Sequence, residues 1–365
     1  MVVYGSAERD YLHSHERITR AAIAGRLATL KGADFAGDYD PARRYPGPVY
    51  FVPGETLVDL AAARALGIRD EHDLFGGAVP DPVVATKAIT HPLVAPGAEA
   101  PAGWSHEFAR RVQDAVLLGF SAFTRMDARQ AGARLLRRGP VRLKPVSATG
   151  GRGQVVVADT AALEAALDAL EAAEPLRHGL VVEEDLMEVA TYSVGQVRVA
   201  ELVASYWGTQ RLTPDNSGAA VYGGSDLVVV RGDFSALDAL GRPEAARRAL
   251  AQARLYDAAA TACFPGLIAS RRNYDVAHGR DPRGQWRCGV LEQSWRIGGA
   301  SSAEVAALEM FRAEPTLQAV RAACFEIYGA GARPPPGATV LFCGTDERVG
   351  PITKCTRVER YGGAG

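Results

Sequence analysis

Val141-Arg142-Leu143-Lys144-Pro145-Val146-Ser147-Ala148-Thr149-Gly150-Gly151-Arg152-Gly153-Gln154, followed by Val155-Val156-Val157, is the stretch on which the fold turns. It reads as a strand, a glycine-rich loop and a second strand. Gly150, Gly151 and Gly153 let successive backbone N–H groups turn toward one anion. Lys144 adds a point charge for phosphate. The three valines after the loop favour a strand over a helix. That argues against a P-loop and against the dinucleotide fingerprint, because in both the glycine turn opens a helix. The expectation is a glycine loop between two antiparallel strands, folded over a nucleotide. Alternation puts Arg142 and Lys144 on one face of the first strand and Val141 and Leu143 on the other. A solvated polar face has the same alternation; the loop that follows tips the reading toward a polyphosphate.

Working outward, residues 1–85 read as a small α/β unit, with a strand at Val49 to Val52 and a helix from Thr56 to Leu66 ended by Gly67. Residues 86–190 read as a mainly helical approach followed by the glycine-loop unit, with helices over Glu107 to Leu118, Asp127 to Leu136 and Thr160 to Ala173 and a strand over Leu180 to Glu184. Residues 191–365 open with short β patterns and turns at Pro214-Asp215-Asn216 and Gly223-Gly224. They continue with a helix over Glu244 to Cys263, strands at Asn273 to Val276 and Cys288 to Arg296, and a helix from Ser302 to Arg312.

In the second of those strands Glu292, Ser294 and Arg296 share a face; in the first, Asn273 and Asp275 do. If Asp281 to Gly284 makes a hairpin turn, Asp275 and Glu292 lie side by side. Two facing carboxylates repel, and a bound cation removes the repulsion. Mg²⁺ suits them, since it takes hard oxygen ligands together with substrate phosphates. Neutralisation by Arg271, Arg272 or Arg296 is the structural alternative. Gly298-Gly299-Ala300-Ser301 opens the next helix, whose N-terminal N–H groups suit an anion; a capping turn with Ser301 or Ser302 and Glu304 reads equally well. Arg271, Arg272 and Asn273 are candidates to hold a substrate carboxylate. Tyr206 to Gln210 and Tyr222 to Asp226 are polar, aromatic and glycine-rich, which suits either a cleft or β-turns.

The chain has 365 residues, 47% of them hydrophobic, enough for two or three domains. A formal net charge of -1 gives no global attraction to nucleic acid or an anionic membrane. The five cysteines form no Cys-x-x-Cys pair and read as reduced thiols. Neither an apolar signal region nor a stretch of about 20 apolar residues is present, so a cytoplasmic protein is expected.

A strand ending in Lys-Pro, a Gly-Gly-Arg-Gly loop, a Val-Val-Glu-Glu-x-Leu strand, an Asp strand and a Leu-Glu-x-x-x-Arg strand follow one another in the order of the ATP-grasp superfamily. The ordered set resembles that superfamily from about Lys87 to Ser302. The resemblance implies an α+β (α/β) fold: two α+β subdomains clasping ATP, behind a small α/β N-terminal domain. It implies that Lys87 and Lys144 contact phosphate, that Gly150, Gly151 and Gly153 form a lid over the phosphates, and that Glu183, Glu184 and Leu186 form the hinge strand that reads adenine. It implies that Asp275 and Glu292 bind metal and that Arg296 stabilises the transferred phosphoryl group. Two departures stand out. Ser294 occupies the place of the third metal ligand, usually Asn, which leaves one or two metal ions open. Thr191 stands where the ribose-binding acid often lies, with Glu188 close enough to substitute.

The activity implied is an ATP-dependent ligase that joins a small carboxylic acid to an amine through an acyl phosphate, with ATP and Mg²⁺ as cofactors. A small-molecule kinase and a non-catalytic ATP-binding protein are the alternatives. The expected partners are a small-molecule carboxylate and an amine, with no nucleic acid or membrane; the oligomeric state is open, a homodimer included.

Overall fold

The structure, a computed structural model, describes residues 1–5, 14–147, 153–173 and 176–362. Strands β1 (Val2–Tyr4) and β2 (Phe51–Pro53) pair in parallel around helix α1 (His15–Lys31). Ser14 starts α1 by accepting the Arg17 N–H, and Gly32 ends it at φ 62°, its N–H returning to Ala28 and Thr29. Next come β3 (Leu57–Val58), α2 (Leu60–Ala65) and β4 (Gly77–Val79). The helix expected from Thr56 begins only at Leu60, because Leu57 and Val58 pair with β4 and Asp59 caps the Ala61 and Ala62 N–H groups.

Helix α3 (His106–Arg111) stops short of Leu118, and β5 (Gly119–Ala122) is a strand where the sequence reads helical. After α4 (Arg125–Leu136) come β6 (Val141–Pro145) and β7 (Val155–Val157), antiparallel as expected, with Val141 opposite Val157. Helix α5 (Thr160–Ala173) and strand β8 (Leu180–Glu184) have the expected bounds. The resulting sheet has the order β5-β8-β6-β7, and α4 and α5 bury its Leu143 and Val182 face with Ala128, Leu135, Leu163 and Leu167.

The chain then builds β9 (Met187–Val199), β10 (Leu202–Pro214), β11 (Ala220–Arg231), α6 (Glu244–Cys263), β12 (Ile268–Ala269), β13 (Arg271–Arg280), β14 (Trp286–Ser294), α7 (Ser301–Ala313), β15 (Ala319–Tyr328), β16 (Thr339–Asp346) and β17 (Gly350–Arg360). Eight of these strands form one sheet in the order β14-β13-β9-β10-β11-β15-β17-β16. Gly223-Gly224 is not a turn. It lies within β11, where the register with β10 shifts, and a Cβ on Gly224 would come 2.0 Å from the Cys324 carbonyl oxygen.

Period two gives this sheet two buried faces. Tyr192, Val194, Tyr274, Val276 and Val290 pack with α6, whose small residues Ala246, Ala249 and Ala253 allow close approach. Val197, Val199, Tyr206, Val229 and Val320 pack with α7 and α1. At the β13–β14 end, the α7 face carries polar side chains instead. Among the described residues no helix is long and apolar enough to cross a membrane.

Candidate functional site

The β13–β14 hairpin turns at Asp281, whose carboxylate accepts the N–H groups of Arg283 and Gln285. Its register sets Asp275 opposite Glu292 and Asn273 opposite Ser294, and a bulge follows Asp275. Thus the two acids are side by side. Lys87 sits in a short 3-10 turn, Lys87–Thr90, and its Nζ is 2.8 Å from Glu292 Oε2. Gln293, on the other face of β14, anchors the segment leading into that turn by donating to the carbonyls of Val84 at 3.1 Å and Thr86 at 2.8 Å. Burial and the charge of Glu292 push the Asp275 carboxyl up. Burial acts the same way on Glu292, but Lys87 above all, then Lys144 and Arg296, hold it below its ordinary value. Two carboxylates side by side, one of them paired with a lysine, are a donor set that fits a hard divalent cation.

Lys144 and Glu183 face each other from β6 and β8, Nζ to Oε1 at 2.8 Å, both nearly fully buried. His91 closes the group, Nε2 to Glu183 Oε2 at 3.0 Å. A side chain on Gly119 would strike the His91 ring at 2.8 Å, so glycine there makes room for it. Burial raises the Glu183 carboxyl, but Lys144 and His91 outweigh it and bring it down to about 2. The Glu183 carboxylate is thus committed to Lys144 and His91. Arg142, on the same strand face as Lys144, is bound by Asp185 at 2.6 Å.

Strand β8 ends at Glu184, whose Oε1 accepts the Leu118 N–H at 2.9 Å and the Arg287 guanidinium at 3.0 Å. Leu186 joins Leu117, Ala277 and Leu291 in a small apolar cluster at the joint between the sheets. Glu188 is exposed, at φ 53°, and pairs with Arg280 at 3.2 Å. Gly153 has φ 68°, a left-handed value that glycine adopts without strain. Gly150 and Gly151 lie outside the described residues.

Arg296 is half-buried, its Nε 3.5 Å from Glu55 Oε2 and its Nη1 donating to the Ile297 carbonyl. Arg271 and Arg272 are engaged elsewhere than expected. Arg271 is fully buried and bidentate to Glu304, Nε to Oε2 and Nη2 to Oε1 both at 2.8 Å. Its Nη1 reaches the Ser294 carbonyl and hydroxyl and the Arg296 carbonyl. Arg272 points to the opposite side and pairs with Asp257 of α6 at 2.8 Å. Neither guanidinium is available to a substrate carboxylate, because each is already neutralised by a carboxylate at hydrogen-bond distance. Glu304 accordingly serves Arg271 rather than a capping box, and the Gly298 N–H is satisfied by the Ser301 hydroxyl at 3.0 Å. Tyr222 covers Gly299, where a Cβ would meet its ring at 2.5 Å. Asn273 donates to Asp275 at 2.9 Å and receives the Tyr206 hydroxyl, which also lies 2.6 Å from Glu304.

The structure thus brings together Lys87, Lys144, Asp275, Glu292, Ser294 and Arg296, with Asn273 behind them. His91 is a member that sequence reasoning did not assign, Tyr206 one that it left between a cleft and a turn, and Glu304 one that it read in a capping turn. For Tyr206 a signal was present: it alternates with Gln210 on one face of β10. For His91 there was none, because its partner Glu183 lies far along the chain.

Comparison with solved structures gives a fold of the same kind over nearly the whole chain. The carboxyaminoimidazole ribonucleotide synthase of Aspergillus clavatus, complexed with ATP, matches with a TM-score of 0.52 and 14% identity, covering 98% of this chain and 93% of that one. The phosphoribosylamine–glycine ligase of Thermotoga maritima matches with a TM-score of 0.52 and 13% identity, covering 99% and 93%. The biotin carboxylase domain dimer of the Hydrogenobacter thermophilus 2-oxoglutarate carboxylase, in complex with MgADP, ADP and bicarbonate, matches with a TM-score of 0.50 and 13% identity, covering 99% and 86%. The chain thus has the ATP-grasp fold. Comparison with curated proteins finds no match. The family model for proteins of unknown function DUF3182 matches residues 3–356, and the chain belongs to that family.

Proposed function

We propose that this protein is an ATP-dependent ligase that activates a small carboxylic acid by phosphorylation and joins it to an amine. The observation that carries the proposal is the pairing of Asp275 with Glu292 on adjacent strands, with Lys87 on Glu292 and the charges of Lys144 and Arg296 close enough to lower that acid. Phosphoryl transfer needs positioning and charge stabilisation more than covalent help from the protein, and these residues offer both. Asp275 and Glu292 would hold Mg²⁺, which when bound neutralises phosphate charge. Lys87 and Lys144 would bind the phosphates, and Arg296 the charge that develops on the transferred group. The Leu117, Leu186, Ala277 and Leu291 cluster offers an apolar wall to a base. The glycine loop would exclude water that otherwise hydrolyses an acyl phosphate. Support also comes from the ATP in the Aspergillus clavatus structure and the MgADP in the Hydrogenobacter thermophilus one.

The test is thermal unfolding with Mg-ATP, Mg-ADP and Mg-GTP, each repeated with EDTA, followed by a screen of carboxylates and amines for ADP release. A magnesium-dependent shift with ATP and amine-dependent ADP release support the proposal. A stable phosphorylated product with no amine requirement replaces it with a kinase. The absence of any nucleotide shift removes it.

A further inference from the structure

Among the described residues Arg271 is one of the largest fully buried side chains. Burying a charge is costly unless it is paired and hydrogen-bonded. The pairing here is complete: two bonds to Glu304 and three to the segment between Ser294 and Arg296. That segment carries the last polar position of β14 and leads into Arg296. From Glu304 the contacts run on through the Tyr206 hydroxyl to Asn273 and from Asn273 to Asp275. Burial keeps the Tyr206 phenol protonated, so its single proton is shared between Glu304 and Asn273. One buried ion pair therefore reaches both strands that hold the facing acids.

We propose that the Arg271–Glu304 pair is the positioning element of this site, and that it restricts the site to one divalent cation. This rests on the reading of Asp275 and Glu292 as the cation ligands. Acceptor accounting supports it. The Ser294 hydroxyl already accepts from a permanent cation at 3.3 Å. Asn273 Oδ1 faces the Tyr206 hydroxyl, and the Ser193 hydroxyl lies between Gln210 at 3.0 Å and Asp275 at 3.4 Å. Asp275 and Glu292 are the two carboxylates that face each other here, and among the described residues no group of three or more His, Cys, Asp or Glu side chains is arranged to hold a metal. A second divalent ion at Ser294 would sit against a guanidinium that cannot move or lose its proton.

The experiment counts Mn²⁺ bound to the full chain by electron paramagnetic resonance, at saturating non-hydrolysable ATP analogue. The wild type is expected to hold one Mn²⁺ per chain, and Ser294→Ala the same. Tyr206→Phe keeps the ring and cuts the link to Asp275; it should weaken Mn²⁺ about tenfold while the melting temperature without nucleotide stays close to wild type. Arg271→Met combined with Glu304→Leu replaces the pair by apolar groups, avoids a lone buried charge, and should weaken Mn²⁺ by at least as much. Two Mn²⁺ per wild-type chain, or unchanged Mn²⁺ affinity in Tyr206→Phe, overturns the inference and leaves the ligase reading in place. Failure of the wild type to bind the analogue at all overturns the ligase reading first.

Discussion

Lys144 Nζ lies 2.8 Å from Glu183 Oε1 across two hydrogen-bonded strands, and the two side chains are only 4% and 2% exposed. A lysine so placed is fixed in position before any ligand arrives, so little ordering remains when a phosphate binds.

Lys144→Met should therefore fail in two ways. It strands the Glu183 carboxylate in the interior with only His91 beside it, at a cost of about 3 kcal/mol. It also removes the phosphate contact proposed for Lys144. Urea unfolding should show the first effect, and loss of the Mg-ATP melting shift the second. A variant that keeps both wild-type stability and the shift would remove Lys144 from the site.

Acid should loosen the same joint. The Glu183 carboxyl stands at about 2 against an ordinary 4.5. Its folded value is depressed, so its contribution is full above about 4.5 and is lost as pH falls from there toward about 2. The total is about 3 kcal/mol. Glu183→Gln should flatten this part of the stability–pH curve measured by urea unfolding; an unchanged acid limb would show that the titration lies elsewhere.

Glu292→Gln keeps the shape of the side chain and removes its charge. The fold should persist, since Glu292 is part-exposed and its partner Lys87 is also placed by its own turn. Magnesium-dependent stabilisation by ATP should disappear, leaving the melting curve the same with and without EDTA. A retained EDTA-sensitive shift would place the cation on other residues.

Asp275 gives the cation site its own pH dependence. Burial and Glu292 raise its carboxyl, so protons compete with a metal there at higher pH than for an ordinary aspartate. Mn²⁺ affinity at saturating ATP analogue should fall as pH is lowered, and Asp275→Asn should bind weakly at every pH. An affinity independent of pH in the wild type would remove Asp275 from the ligand set.

Much of this was legible because strands obey period two. Asp275 and Glu292 sit opposite each other since one turn, Asp281 to Gly284, fixes their register. The lengths of α5 and β8 followed from uninterrupted patterns between clear breakers. What failed was set at long range. Gly119 to Ala122 is a strand only because β8 hydrogen-bonds to it from some 60 residues away in sequence. Arg271 and Arg272 read together as candidates to hold one carboxylate, yet alternation sends one under α7 to Glu304 and the other under α6 to Asp257. Local sequence contains neither partner.

The segment at Ala115 to Leu118 has a second significance. The Val290 N–H bonds to the Ala115 carbonyl at 2.8 Å, and Val116 bridges Val290, so the outer margin of β14 is covered at Val290. Gly289 permits the contact, as a Cβ there would come 2.5 Å from the Leu117 nitrogen. An uncovered margin of a large sheet is a template for another molecule's strand. The segment whose Leu118 N–H bonds to Glu184 thus also covers part of a sheet edge. Gly289→Ala should therefore show itself as turbidity on storage.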